Sequence, residues 1–373
     1  MTTSPPARIG DPVEAIDTPA LVVDLDAFEH NIEKMAAFTR KAGVRLRPHA
    51  KTHKSPAVAL KQIAKGAVGQ CCQKVGEAEA LVRAGVKDVL VSNEVIGLSK
   101  LRRLASLAKD ATVALCFDAP EGVAQASQAA VEFGVELGGL VEIEIGMKRC
   151  GVAPEAAPEL ARLIEKSPGL KFRGLQAYHG SAQHVQGYEA REALMRDTTA
   201  IVRRTAESLA AAGLPCDFVT GAGTGTYSFE CASGVWNEIQ AGSYAFMDTD
   251  YARIGGRNSD RYADFEHSLF VLAGVMSTPA SDLAVVDAGL KAFSMEKGAP
   301  WVHGIDGAEV VGVSDEHGKV KFAPGARRLN LGERVMLIPG HCDPTINLHD
   351  WYVGIRNGRV EALWPIAARG ASR

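Results

Sequence analysis

The segment Arg45-Leu46-Arg47-Pro48-His49-Ala50-Lys51-Thr52-His53-Lys54 delivers one lysine at the end of an apolar run, among other cations. Val44-Arg45-Leu46 alternates like a strand and Pro48 ends sheet hydrogen bonding. Lys51 is therefore expected at a strand terminus, with Arg47, His49, His53 and Lys54 close by. Neighbouring positive charge and partial burial both favour the neutral amine, and a neutral amine is what Schiff-base chemistry with a carbonyl cofactor requires. On spacing alone a solvated basic turn is the simpler reading, so the rest of the chain has to discriminate.

Three further groupings bear on that choice. The run Gly221-Ala222-Gly223-Thr224-Gly225-Thr226 can offer backbone N–H groups and a hydroxyl to a phosphate, although it is neither a Walker A loop nor a GxGxxG turn. Ala241-Gly242-Ser243-Tyr244 is a second turn of small residues. Two such turns beside a reactive lysine suit pyridoxal phosphate, whose phosphate needs donors and whose aldehyde needs an amine. Arg149 can face the ring of such a cofactor or pair with Glu142 or Glu144. In His341-Cys342-Asp343-Pro344-Thr345, an extended backbone would turn His341 and Asp343 to one face and Cys342 to the other. One imidazole and one carboxylate suit Mn²⁺ or Mg²⁺, with water completing the shell; a polar turn before Pro344 is the alternative.

These residues need elements to position them. Strand-like runs at 21–25, 44–46, 70–73, 89–91, 113–117, 140–145, 172–177 and 217–220 alternate with Ala-rich amphipathic stretches. Eight such alternations predict a (β/α)₈ barrel, in which chemistry gathers at the C-terminal strand ends. Asp24 and Asp26, Lys51, Gln73, Glu94, Asp118, Arg149, Tyr178 and Thr224 would then meet on one face. After about residue 265 the texture changes to short β-rich runs with turns at Asp306-Gly307, His317-Gly318 and Asn357-Gly358. The expected division is a barrel over 18–262, with 1–17 and 263–373 forming an all-β domain that carries the metal cluster.

Composition excludes several classes of function. The 373 residues carry a net charge of −3, which gives no electrostatic case for nucleic acid or an anionic membrane as partner. No apolar run reaches the roughly 18 residues of a spanning helix, and the first residues lack the pattern of a secretion signal. Seven scattered cysteines without a CxxC pair predict reduced thiols in a cytoplasmic protein.

In order along the chain, several segments resemble one family: Asp17-Thr18-Pro19-Ala20, Arg47–Lys51, Cys71–Val75, Ser92–Val95, Arg149–Val152, Gln176–Gly180, Gly221–Gly225, Gln240–Asp248, Val286–Lys291, Asp315–Gly318 and His341–Thr345. The family is the D-threonine aldolase group of fold type III pyridoxal-phosphate enzymes, related to alanine racemase and D-serine dehydratase. The 3-hydroxy-D-aspartate aldolases look equally close. The resemblance implies that Lys51 bonds the cofactor and that Thr224, Gly225, Gly242 and Ser243 hold its phosphate. Gln73 and Tyr178 would line the cofactor site, Arg149 would face the ring, and His341 and Asp343 would bind the metal. The implied reaction is retro-aldol cleavage of a 3-hydroxy-D-amino acid in a homodimer, with His184 as the best candidate base. Asp343, where the dehydratases of this fold carry a zinc-binding cysteine, favours aldol cleavage over loss of water. A dehydratase, a racemase and a non-catalytic carrier of pyridoxal phosphate are the alternatives. Ala222 stands where the family often has glycine, with little effect expected if its φ stays negative.

Overall fold

The computed structural model describes residues 4–373, and they form two compact units. One unit comprises 34–51, 58–242 and 370–373; the other comprises the described residues up to Glu33, Thr52–Ala57 and Ser243–Arg369. These limits fall away from the expected 18–262 and 263–373, because the first strand and the segment after Lys51 join the second unit.

The first unit is the barrel. Its strands, in ring order, are Arg45–Leu46, Gln70–Cys72, Asp88–Glu94, Thr112–Phe117, Leu137–Glu142, Leu170–Ala177, Phe218–Gly221 and Glu238–Ile239, each parallel to its neighbour. A parallel bridge between His49 and Cys71 closes the ring, with Ala50 N donating to Cys71 O at 2.6 Å and Cys71 N to Pro48 O at 2.8 Å. Amphipathic helices such as Val75–Arg83, Leu98–Leu107 and Ala157–Lys166 bury Leu81, Leu101, Leu104, Leu160 and Ile164 against the strands. The barrel interior holds Cys71, Leu90, Cys116 and Leu140 in one apolar layer.

One strand departs from expectation. Ala20–Asp24, read as the first barrel strand, pairs parallel with Trp351–Arg356 and antiparallel with Leu269–Ala280 in the other unit. Its place in the barrel is taken by Glu238–Ile239, whose polarity hides it from a hydrophobic pattern. Asp24 and Asp26 are therefore not barrel strand ends. Asp24 instead accepts from the N–H groups of Asp26 and Ala27 at the start of the helix Leu25–Ala42.

The second unit is a nine-stranded sheet, antiparallel apart from that one pairing. Six of its strands close on themselves, because Leu283–Val286 pairs with both Gly318–Phe322 and Leu269–Ala280. The hairpin Trp351–Arg356/Arg359–Pro365 turns through Asn357 and Gly358 at φ of 50° and 73°, the left-handed pair that Asn-Gly favours.

Candidate active site

Lys51 follows the first barrel strand, beyond His49 and Ala50. The His49 ring accepts the Lys51 backbone N–H at Nδ1 (3.3 Å) while Nε2 lies 3.1 Å from Ser92 Oγ. An accepting Nδ1 places the proton of a neutral ring on Nε2, facing Ser92. His49 is thereby tied between the first and third strands, and it fixes the backbone that carries Lys51. Arg47 is not beside Lys51. Its side chain turns to the opposite mouth of the barrel, where it bonds Glu238 at 2.9 Å and Asp88 at 2.6 Å. The expected cationic neighbourhood loses that member, because Arg47 pairs with Asp88 and Glu238, the first residues of two other barrel strands.

The other barrel residues fall at strand ends as expected. Gln73 donates its backbone N–H to Glu77 at 2.7 Å and its amide to Ser92 O at 3.4 Å. The Arg149 guanidinium lies 5.9 Å from the Tyr178 ring centroid and 3.8 Å from Glu142. Glu144 is engaged elsewhere, accepting from the N–H groups of Gly146 and Lys148 at 2.7 and 2.8 Å. Of the two candidate partners of Arg149, Glu142 is the one it meets.

Thr224 and Gly225 are buried in the turn after Phe218–Gly221. This turn is held by a residue that sequence reasoning missed. Gln183, fully buried, accepts from Gly225 N at 3.0 Å and donates to Thr226 Oγ1 at 2.8 Å. A Cβ at Gly223 would stand 2.4 Å from its amide oxygen, so a side chain there would displace that amide. The only signal in the sequence was its place beside His184, which ends the short 3₁₀ turn Ser181–His184. Ala222 sits at φ +67°, against the expectation of a negative value. A left-handed alanine costs roughly 1–2 kcal/mol, so the substitution for glycine carries strain. Gly242 ends the barrel unit, and Ser243, also buried, opens a 3₁₀ turn in the other.

Glu94 and Asp118, at two adjacent strand ends, and Cys150, in the loop after Leu137–Glu142, bring ligand atoms within 4.8 Å of one another. Burial and the neighbouring carboxylates push the Cys150 thiol up to about 11.

In the second unit His341 is extended and caps the short helix Cys342–Ile346. The segment is thus not the strand expected; Asp343 lies in the first helical turn. Cys342 nonetheless faces inward, with its N–H on Asp248 Oδ2 at 2.9 Å and its thiol on Met247 O at 3.2 Å. Buried Asp248 is pushed up to about 6 by desolvation. His341 Nδ1 is held by the Glu296 carboxylate, which leaves Nε2 as the nitrogen to meet a metal. A carboxylate behind a ligating imidazole orients the ring and raises its basicity. One imidazole and one carboxylate are donor types that suit a divalent ion.

The model of the alanine racemase N-terminal domain matches residues 23–250, and a serine dehydratase domain model matches 268–355. A D-threonine aldolase of Arthrobacter sp is 48% identical over 99% of this chain and 97% of its own length. The chain belongs to the D-threonine and 3-hydroxy-D-aspartate aldolase family. A 3-hydroxy-D-aspartate aldolase of Paracoccus denitrificans (strain Pd 1222) is 49% identical over 98% of this chain and 95% of its own. The crystal structure of D-threonine aldolase from Filomicrobium marinum superimposes with a TM-score of 0.96 at 45% identity, covering 99% of this chain and 100% of that one. Membership of this aldolase family accords with the barrel and the antiparallel unit described above. No described helix is long and apolar enough to cross a membrane.

Proposed function

We propose that the protein cleaves 3-hydroxy-D-amino acids by a retro-aldol reaction dependent on pyridoxal phosphate and a divalent metal. The products are glycine and an aldehyde: acetaldehyde from D-threonine, or glyoxylate from 3-hydroxy-D-aspartate. The observation that carries the reading is full-length similarity to two aldolases, in a chain whose Lys51 follows a barrel strand with its backbone fixed by His49.

The residues present suit the cofactor: a lysine amine, the hydroxyls of Thr224 and Ser243, glycines at 225 and 242, and a guanidinium at 149. When bound, pyridoxal phosphate supplies an aldehyde that bonds amines and a ring that accepts electrons as Cα–Cβ breaks. Lys51 would hold the cofactor through its side-chain amine. Thr224, Gly225, Gly242 and Ser243 hold the phosphate, Gln73 and Tyr178 line the site, and Arg149 faces the ring. His341 and Asp343 bind Mn²⁺ or Mg²⁺, which supplies Lewis acidity for the β-hydroxyl. His184 takes the proton of that hydroxyl. The seven cysteines are all free thiols, which suits a cytoplasmic protein, and the assembly is a homodimer.

The test is direct. Purified protein with pyridoxal phosphate and Mn²⁺ is incubated with D-threonine or 3-hydroxy-D-aspartate, with and without EDTA, and glycine and aldehyde are assayed. Glycine plus aldehyde, abolished by EDTA, is the expected result; ammonia and a keto acid would mean a dehydratase.

A further inference from the structure

We propose that Glu142 is a positioning residue for this reaction: it anchors Arg149 to the barrel through their ion pair at 3.8 Å. The inference rests on the reading above, in which Arg149 faces the cofactor ring.

The geometry begins with the backbone. Glu142 ends the strand Leu137–Glu142 and is 5% exposed. Its carbonyl accepts from Val152 N at 2.9 Å, and Glu144 N donates to Val152 O at 2.9 Å. The loop 143–152 is thus pinned back onto its own strand, which brings Arg149 over Glu142. The turn requires its glycines: a Cβ at Gly151 would lie 2.7 Å from Glu144 N, and one at Gly146 would lie 2.3 Å from His179 Nε2. A rigid strand end beneath a pinned loop makes Glu142 a fixed anchor for a half-exposed guanidinium, which otherwise meets only the Tyr178 ring among the described residues.

The anchor is itself unusual in charge. The neighbouring carboxylate of Glu94 disfavours ionisation of Glu142. The groups that face the pair are Asp118 from the next strand end and Arg149 and Cys150 from the loop. Burial and then Glu94 push Glu142 up to about 8, with Arg149 opposing. Below that pH the partner of Arg149 is neutral and the guanidinium presents its full charge. Above it, Glu142 becomes a counter-ion.

The experiment is a pH titration of the cofactor's visible absorption, from about pH 6 to about 10, in the holoenzyme and in Glu142→Gln, Glu142→Asp and Cys150→Ser. The wild type is expected to show a spectral transition near pH 8. Glu142→Gln should retain bound cofactor but lose the transition, with kcat lowered about tenfold, as for loss of a group that orients a functional side chain. Glu142→Asp should restore a transition at a displaced midpoint, and Cys150→Ser should leave it in place. A wild-type transition that persists unchanged in Glu142→Gln, or is absent from the wild type, overturns the proposal. Protein that binds the cofactor but cleaves neither substrate overturns the functional reading alone, because the spectral titration needs no turnover.

Discussion

The two mouths of the barrel are both rich in charge, yet they treat it in opposite ways. At the N-terminal mouth each cation is matched. Arg47, 4% exposed, clamps Glu238 and Asp88, and Arg173 pairs with Asp217 at 2.8 Å. The guanidinium carbons of Arg45, Arg47 and Arg173 lie 4.4, 5.9 and 4.8 Å from the Phe218 ring centroid. Arg47, Asp88, Arg173, Phe218 and Glu238 border a cavity of about 370 Å³. At the C-terminal mouth Glu142 stands near Glu94 and Asp118 with the half-exposed Arg149 as its one cation, and burial with these carboxylates pushes it up to about 8. Matched charge holds a structure in one state. Crowded like charge raises carboxyl pKa values into the working pH range, which is what acid–base chemistry needs.

The comparison breaks or sharpens under substitution. Lys51→Ala should abolish both the cofactor's bound absorption and aldehyde release, while the urea midpoint stays within about 0.5 kcal/mol of wild type. His184→Ala should lower kcat by about 10²–10⁴-fold with cofactor loading intact; full turnover would remove it as the base. Arg47→Met should do the reverse, costing about 3–5 kcal/mol because Glu238 is left buried without its guanidinium. The double variant Arg47→Met/Glu238→Leu should recover much of that loss in urea denaturation, and kcat per folded molecule should not move. If Arg47→Met instead slowed turnover at full stability, the division of labour between the two mouths would fail.

Smaller effects test the strand-end face itself. Glu230, fully buried and accepting from Thr226 Oγ1 at 2.7 Å, is pushed up to about 7 by desolvation. The folded protein then keeps a proton that the unfolded chain has lost, so stability falls as pH rises from about 4.5 to 7 and levels above that. Glu230→Gln should flatten that fall, read as urea midpoints at about pH 5 and about pH 8. Ala222→Gly should relieve the left-handed strain. The gain should be under about 1 kcal/mol, because glycine loses more chain entropy on folding.

Much of this site is legible in the amino-acid sequence. Lysine at a strand terminus, hydroxyl-bearing glycine turns and the order of strand ends all follow from local alternation and turn chemistry. Gln183 is not legible there, since a buried glutamine carries no periodic signal and its value lies in bonds to Gly225 and Thr226, some 40 residues away. Neither is the choice of Glu142 over Glu144, which depends on how the loop 143–152 folds back.

What the sequence determined by itself was the set of elements: apolar alternation marks strands, helices stop at Gly43, Gly85 and Gly213, and Asn357-Gly358 turns a hairpin. What only the tertiary structure decided was pairing. Ala20–Asp24 reads like any barrel strand yet joins the antiparallel sheet, while polar Glu238–Ile239 closes the barrel beside Arg45–Leu46. The physical reason is that periodicity is a property of neighbouring residues, whereas strand partners and buried ion pairs such as Arg47–Glu238 join residues far apart in the chain. Their free energy exists only once the chain has brought them together.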